Sequence, residues 1–286
     1  MRWALPFLIL TLLLPLSGCA DKPARLARRP KIYRKIISLS PGTSEIVASD
    51  ADATTLKGRT AACNFPQNMM ASIPIVASIK PDYEKIQSLK PDMILYDKGL
   101  YSDQDIDKLK SAHAEMFPID AETVDAFIKE LYILGSKLGY ETRMNDYVER
   151  IQQERATNES LPLNPKPKVA IVMPSPDGND MICGVKGFLG DVVKCSGGEL
   201  VGPPTDKFEA LNAEAFVGMN PDIIVVGASK FNLTVDQLLL DDQRFKTITA
   251  IKNKQVRLLD GDVLYRRGSR VDSLLKAMHQ VLSPPK

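Results

Sequence analysis

Short apolar runs alternate with amphipathic helical patterns along most of the chain. Runs typical of buried strands occupy residues 35–40, 93–96, 115–119, 168–173 and 223–226. Helical spacing separates them, at residues 43–49, 82–89, 102–113 and 211–219. The third of these helices is predicted to begin with a capping box, in which Ser102 is followed by Asp105. Because buried strands that alternate with helices favour parallel sheets, the pattern predicts an α/β protein.

One helix-to-strand unit occurs in both halves of the chain. Glu84 and Glu214 are each followed by six residues, a Pro-Asp pair and an apolar run. Pro-Asp alone marks only a turn from helix to strand, but a glutamate at the same place in both units is more specific. The repeat predicts two similar lobes, each with one carboxylate at an equivalent helical position.

Two further helical patterns lie between the halves, at residues 123–138 and 141–158. The second spans roughly 27 Å at about 1.5 Å per residue, which is long enough to cross from one lobe to the other. The predicted fold is therefore α/β, with two Rossmann-like lobes that contain parallel sheets and are joined by a single long interlobe helix. We place the N-terminal lobe at residues 36–140, the interlobe helix at 141–160 and the C-terminal lobe at 161–286.

The N-terminus has the pattern of a secretory signal. Arg2 precedes an apolar run at residues 4–16, which is shorter than the about 20 residues that a membrane-spanning helix needs. The run leads through Leu-Ser-Gly to Cys19, and this ending resembles the bacterial lipobox. We expect residues 1–18 to be a signal peptide and Cys19 to carry the lipid. A buried N-terminal helix with a chance cysteine is the alternative.

A basic segment follows at residues 19–35. It holds seven cations and one anion and few apolar side chains, so it is predicted to be a tether rather than part of a core. Its charge favours anionic headgroups and adds to a lipid anchor; a merely solubilising linker fits equally well. The chain has a formal net charge of +2, of which the signal supplies +1 and the tether +6, so the body carries −5.

Composition excludes several classes of function. A net charge of +2 is too small to indicate a nucleic-acid binder. The two histidines, His113 and His279, disfavour a histidine-rich metal site and histidine-based catalysis. No GxSxG, HExxH, Walker or dinucleotide-binding motif is present. We therefore predict that the protein is not an enzyme and has no catalytic or metal-ligating residues; an extracytoplasmic enzyme that uses Cys63 is the alternative.

Beyond Cys19 the chain has three cysteines, Cys63, Cys183 and Cys195. An odd count in an oxidising compartment leaves at least one free thiol or an intermolecular pair. Whether Cys183 and Cys195 pair with each other stays open at this point, because sequence does not test the geometry of a disulfide.

Several segments, taken in order, resemble the periplasmic solute-binding proteins of ABC importers that have a helical interlobe backbone. This family serves ferric siderophores, haem and cobalamin. The segments are residues 36–46 (IISLSPGTSEI), 58–66 (GRTAACNFP), 89–92 (LKPD), 187–191 (GFLGD), 196–199 (SGGE) and 251–257 (IKNKQVR). Their order and spacing are specific together rather than singly, and the resemblance covers about residues 35–282.

The resemblance implies a lipid-anchored, monomeric binding protein outside the cytoplasm, in the periplasm or at the cell surface. It would capture a ferric siderophore or a related metal chelate in the cleft between its lobes and deliver it to an ABC permease and its ATPase. No resident cofactor is implied. Cobalamin or haem as the ligand, and a sensor that serves a receptor rather than a permease, are the alternatives. The only tryptophan, Trp3, lies in the signal; several cobalamin-binding relatives line the cleft with tryptophans, so its loss disfavours cobalamin.

The resemblance also implies roles for individual residues. Glu84 and Glu214 match the glutamates that dock against arginines of the permease; solvated surface carboxylates are the alternative. The residues expected to contact the ligand are Ser40, Asn64, Phe65, Tyr96, Lys98, Phe188, Lys207, Phe208, Tyr265 and Arg266. Because aromatic and cationic side chains occur together in this set, we expect a large, flat, anionic ligand.

Overall fold

A computed structural model describes residues 31–173, 175, 179–228 and 243–284. The predicted signal at residues 1–18, the lipidated Cys19 and most of the tether therefore lie outside the described residues. All elements given below belong to one unit, Ile32–Lys286. Among the described residues, no helix is both long and apolar enough to cross a membrane.

The N-terminal lobe is built on a parallel sheet. Its strands are β1 (Ile36–Ser38), β2 (Leu56–Thr60), β3 (Ile75–Ala77), β4 (Met93–Asp97) and β5 (Glu115–Ile119). They lie in the order β3-β2-β1-β4-β5, and every pairing is parallel. The central strands β1 and β4 read as nearly continuous apolar runs because helices cover both faces of such a sheet; β1, for example, is buried along its whole length.

The helices of this lobe are α1 (Pro41–Asp50), α2 (Gln67–Met70), α3 (Tyr83–Ser88), α4 (Asp103–Leu109) and α5 (Val124–Leu138). The capping box before α4 is confirmed: the Ser102 hydroxyl accepts from the Asp105 amide, and the Asp105 carboxylate accepts from the Ser102 amide. The predicted helix at residues 102–113 is shorter than expected, because the chain tightens into a single turn at Lys110–Ala112 and His113 adopts a left-handed conformation before β5.

A helix of 20 residues, α6 (Glu141–Ser160), separates the two sheets along the chain. Gly139, with a φ of +72°, ends α5 and allows the turn into α6. The buried face of α6 includes Met144, Tyr147 and Ile151, and the helix packs against α5 on one side and α11 (Val271–Leu282) on the other. The predicted boundaries at residues 140 and 161 stay a prediction.

The C-terminal lobe has a mixed sheet. Its strands are β6 (Lys168–Met173), β7 (Met181–Cys183), β8 (Glu199–Leu200), β9 (Phe208–Ala210), β10 (Ile223–Ala228) and β11 (Val256–Asp260). The order is β11-β10-β6-β7-β9, with β8 on β6. Pairings among β6, β8, β10 and β11 are parallel, but β7 is antiparallel to both of its neighbours. The prediction did not include this reversal; seven residues link β6 to β7, and a parallel crossover needs about a dozen or more.

The remaining helices are α7 (Phe188–Cys195), α8 (Ala213–Met219), α9 (Thr249–Lys252), α10 (Gly261–Leu264) and α11. The internal repeat extends to the helix caps. Asp82 caps α3 and Asn212 caps α8, each by accepting from the amide three residues later. Glu84 and Glu214 are therefore both the second residue of a capped helix.

The three cysteines beyond Cys19 are free thiols. The pairing of Cys183 with Cys195 that the sequence left open is not formed. Burial raises the pKa of Cys183 to about 12 and that of Cys195 to about 11, because burial disfavours the charged thiolate. Both thiols are therefore protonated at neutral pH, which makes them poor nucleophiles.

Candidate ligand cleft

A cavity of about 250 Å³ lies where the two lobes meet. From the N-terminal lobe, Gly99 follows β4, and Asp120 and Glu122 follow β5. These residues lie beyond the carboxyl ends of parallel strands, where ligands of α/β proteins bind. The C-terminal lobe supplies Cys183, Gly187, Phe188, Leu189, Asp206, Lys207, Phe208, Leu264, Tyr265, Arg266 and Arg267. Ligand pockets commonly measure about 300–1,000 Å³, so this one is small for a large chelate.

Aromatic rings form one wall of the cavity, and their orientations are fixed by packing. Phe188 contacts Phe127 edge to face, with ring centroids 5.7 Å apart. Phe208 contacts Tyr265 in the same manner, also at 5.7 Å. Such contacts add about 0.5–1.5 kcal/mol beyond burial. The wall thus offers rigid apolar surface that needs no rearrangement to meet a ligand.

The hydroxyl of Tyr265 is used by the protein itself. It accepts a hydrogen bond from the Gly227 amide at 3.0 Å and donates one to the Val172 carbonyl at 3.2 Å. Burial raises the pKa of Tyr265 to about 12. A side chain at Gly227 would overlap the Tyr265 ring. Tyr265 therefore presents its ring, rather than a phenolate, to the cavity.

Half of the residues expected to contact the ligand line this cavity. They are Phe188, Lys207, Phe208, Tyr265 and Arg266. Lys98 lies beside it and pairs at 2.6 Å with Asp120, which does line it. The roles of all of them stay predictions.

The other four residues expected at the ligand do not line the cavity. Ser40 is buried and caps α1, and Tyr96 is buried in the core of its lobe. Asn64 donates to Asp262 at 2.7 Å and accepts from Arg266 at 2.6 Å. Phe65 is about one-third exposed, at 36%.

Sequence reasoning missed the carboxylates of the cleft, which are Asp120, Glu122 and Asp206. A signal for the first two was present, because they directly follow a predicted strand whose carboxyl end faces the other lobe. For Asp206 the signal was its position directly before Lys207, which was expected to contact the ligand.

A buried carboxylate ties the lobes together at the side of the cleft. Glu45 of α1 is 1% exposed and accepts from Arg266 at 3.1 Å and from Arg270 at 2.7 and 3.1 Å. Arg266 also pairs with Asp262 at 2.5 Å. The Arg270 guanidinium lies 4.4 Å from the ring of Phe65. Each charge in this cluster has a partner, which is what burial of a charge requires.

The neighbouring Arg267 makes a second crossing between the lobes. Its guanidinium pairs with Asp97 at 2.6 Å and donates to the Ala121 carbonyl at 2.6 Å. The backbone is close here as well: a Cβ on Gly42 would lie 2.5 Å from the Arg267 carbonyl oxygen, and one on Gly268 would lie 2.5 Å from Glu45. Glycine at both positions lets the two lobes approach this closely.

A third link runs through the long helix. Arg150 of α6 pairs with Asp50 of α1 at 3.1 Å and with Asp272 of α11 at 3.1 Å. Asp50 is buried, and its Oδ2 has no hydrogen-bond partner among the described residues. Burial is the main reason that the pKa of Asp50 is raised to about 6, although Arg150 lowers it.

Glu84 and Glu214 lie outside the cleft. Both are exposed, in the first turn of their helices, where a negative charge is favourable. Neither forms an ion pair with any residue that the structure describes. Within the described ranges, no group of three or more histidine, cysteine or carboxylate side chains could hold a metal ion.

Comparison with known proteins adds independent information. The periplasmic binding protein family matches residues 36–263. The uncharacterized ABC transporter substrate-binding lipoprotein YvrC of Bacillus subtilis (strain 168) is 22% identical over 278 residues, which cover 94% of this chain and 85% of YvrC. The high-affinity heme uptake system protein IsdE of Staphylococcus aureus (strain MRSA252) is 25% identical over 223 residues, 75% of either chain.

A solved structure shares the fold. The periplasmic vitamin B12 binding protein BtuF of Vibrio cholerae superposes with a TM-score of 0.75 at 18% identity, over 88% of this chain and 98% of that one. Two sheets, mostly parallel and flanked by helices, are common to both. The resemblance drawn from the sequence is confirmed: the chain belongs to the periplasmic binding protein family.

Proposed function

We propose that the protein is the substrate-binding lipoprotein of an ABC importer and captures a metal chelate in the cleft between its lobes. The observation that carries the proposal is the cavity at the lobe boundary, because both lobes line it and Phe188, Phe208 and Tyr265 form its wall. A binding protein needs a rigid, partly apolar surface on each lobe, so that one ligand in the cleft contacts both lobes at once. It needs no reactive groups.

The ligand is a ferric siderophore or a related chelate. The three aromatic rings favour a ligand that places apolar or aromatic surface against them. Haem and cobalamin are the second candidates, and they are favoured by relatives whose names state heme uptake and vitamin B12 binding. A cavity of about 250 Å³ would hold part of such a molecule, with the rest at the mouth of the cleft.

Delivery to the permease uses Glu84 and Glu214. Each lies on a different lobe, exposed at an equivalent position of a capped helix. An exposed ion pair contributes only about 0–1 kcal/mol, so neither suffices alone. Both lobes meet the permease at once, and the second contact then benefits from a high effective concentration. Such docking is specific in register and still transient.

The protein acts outside the cytoplasm, anchored through Cys19. The apolar run and the lipobox-like ending at residues 16–19 support this, and so does the lipoprotein in the name of YvrC. We propose that it is a monomer and that its partners are a permease and the ATPase of that permease. A sensor that serves a receptor would use the same cleft without transport.

The experiment is a ligand screen on residues 20–286, which keep every described element. Melting temperature and visible absorbance are followed with ferric hydroxamates, ferric catecholates, haem and cobalamin. A ligand at a hundredfold excess over Kd stabilises the fold by about 2.7 kcal/mol. At roughly 2–4 °C per kcal/mol for a chain of this size, the melting temperature should rise by about 5–11 °C. Stabilisation by none of the four would contradict the proposal, and turnover of any of them would point to an enzyme.

A further inference from the structure

The charges around the cleft do not match those expected of a receptor for an anionic ligand. Aromatic and cationic residues suggested such a ligand at the level of sequence. In the structure, most of those cations form ion pairs with carboxylates of the protein itself. A ligand therefore meets only the charges of cleft side chains that form no ion pair within the protein.

The arginines of the cleft are already neutralised. Arg266 pairs with Glu45 and Asp262, and Arg267 pairs with Asp97. Their side chains are only 13% and 20% exposed. An anionic ligand would have to compete with these carboxylates at 2.5–3.1 Å. Neither guanidinium is free to bind a carboxylate or catecholate group of a ligand.

The lysines supply little more. Lys98 pairs with Asp120 at 2.6 Å, which cancels the positive charge at that edge. Within the part of the chain that the structure describes, Lys207 is the one cation of the cavity wall that forms no ion pair. Among the described residues that line the cavity, Lys207 thus supplies the one positive charge that no carboxylate compensates.

Uncompensated negative charge is greater. Glu122 of the N-terminal lobe and Asp206 of the C-terminal lobe both line the cavity, are exposed and form no ion pair with any described residue. Among the described residues, the wall, its ion-pair partners and Arg270, which shares Glu45 with Arg266, together hold six carboxylates and five cations, a net charge of −1. The two lobes therefore present carboxylates to whatever lies between them, and a cleft focuses such a field.

We infer that the cleft takes a metal chelate of neutral or positive net charge and discriminates against polyanionic chelates. This inference rests on the proposed function. Ferric iron bound by three hydroxamates is uncharged, or positive when the ligand also carries an ammonium group. Ferric iron bound by three catecholates carries three negative charges, and ferric haem with two ionised propionates carries one. Cyanocobalamin is uncharged.

The test ranks affinities by charge on residues 20–286. The probes are a ferric trihydroxamate with an ammonium group, a neutral ferric trihydroxamate, cyanocobalamin, ferric haem and a ferric tricatecholate, titrated at low and at high salt. We expect the tightest neutral or cationic probe to bind at least about tenfold more tightly than either anionic probe, a difference of about 1.4 kcal/mol. The advantage should shrink at high salt, because salt screens exposed charges.

Variants assign the effect to the two carboxylates. In a double variant that combines Glu122→Gln with Asp206→Asn, the preference should fall at least about threefold, since both side chains are exposed and uninvolved in ion pairs. The matched control is Glu199→Gln, which removes an exposed carboxylate on β8, in the same lobe as Asp206. This variant should leave the preference unchanged.

Each outcome decides one claim. Tighter binding of the tricatecholate or of haem would overturn the charge inference while leaving the proposed function in place. A preference that the double variant does not change would show that these carboxylates do not set it, and the inference would fail. Binding of none of the probes would contradict the proposed function itself.

Discussion

Replacement of Glu45 tests whether buried charge holds the two lobes together. Its carboxylate is 1% exposed and accepts three hydrogen bonds from Arg266 and Arg270, at 2.7–3.1 Å. Glu45→Gln keeps the size of the side chain and removes the charge. The two guanidiniums, with side chains 13% and 18% exposed, then face each other without the anion that separates them.

The expected loss of stability follows from the burial. Breaking a buried ion pair by removing one partner costs about 3–5 kcal/mol. The lower end applies here because Arg266 keeps its pair with Asp262 and both arginines reach some solvent. At roughly 2–4 °C per kcal/mol, a loss of about 3 kcal/mol lowers the melting temperature by about 6–12 °C.

The assay is urea unfolding of the wild type and the variant under identical conditions. Glu149→Gln, on the exposed side of α6, is the matched control and should change stability by less than about 0.5 kcal/mol. A double variant of Glu45→Gln with Arg270→Met should lose less than the sum of the single losses, because the two residues share one interaction. A loss below about 1 kcal/mol for Glu45→Gln would refute the reasoning.

Three further predictions follow from other contacts. The pKa of Asp50 is raised from 3.8 to about 6, so between these pH values the folded protein holds a proton that the unfolded chain has released. The free energy of unfolding should therefore fall as pH rises through that window, by up to about 3 kcal/mol. In urea unfolding from pH 4 to pH 7, Asp50→Asn should flatten this dependence on pH. Reversal of both charges, Glu84→Lys with Glu214→Lys, should abolish cellular uptake of the chelate while the affinity of the purified protein stays within about twofold. Phe208→Ala should weaken ligand binding by about tenfold, measured by titration, because a packed aromatic face is lost.

Each of these predictions has its own control and its own contradiction. A stability difference between Asp50→Asn and the wild type that is constant over pH would assign the slope to another group. Uptake that survives the double charge reversal would make the docking assignment wrong, and Glu149→Lys controls for reversal at an unrelated exposed site. For Phe208→Ala the control is Tyr132→Ala, on an aromatic residue of α5 that is 46% exposed; equal effects of both would indicate a general loss of stability rather than loss of a ligand contact.

Much of the fold is predictable because it depends on local patterns. The strand Lys168–Met173 and the strand Glu115–Ile119 occur at their predicted bounds, because a short, mostly apolar run between turn residues is typical of a buried strand. The helix α6 extends two residues past its predicted pattern, to Ser160. The antiparallel β7 was missed because a strand of three residues is too short to show a period.

The cleft was less predictable, because its chemistry depends on contacts between distant residues. Arg266 lines the cavity between the lobes, but its partner Glu45 is 221 residues away in the chain. Sequence shows that a cation is present and not whether a carboxylate neutralises it. Phe188, Phe208 and Tyr265, which were expected to contact the ligand, line the cavity, and their role in binding stays a prediction. The net charge of the cavity depends on ion pairs that the sequence does not reveal.

Calorimetric titration of residues 20–286 with the chelate that stabilises them tests the central claim most directly. The account predicts saturable binding of one chelate per chain, weakened about tenfold by Phe208→Ala and unchanged by Tyr132→Ala. Binding that does not saturate, or that is indifferent to the change at Phe208, would contradict the assignment of the interlobe cleft as the ligand site.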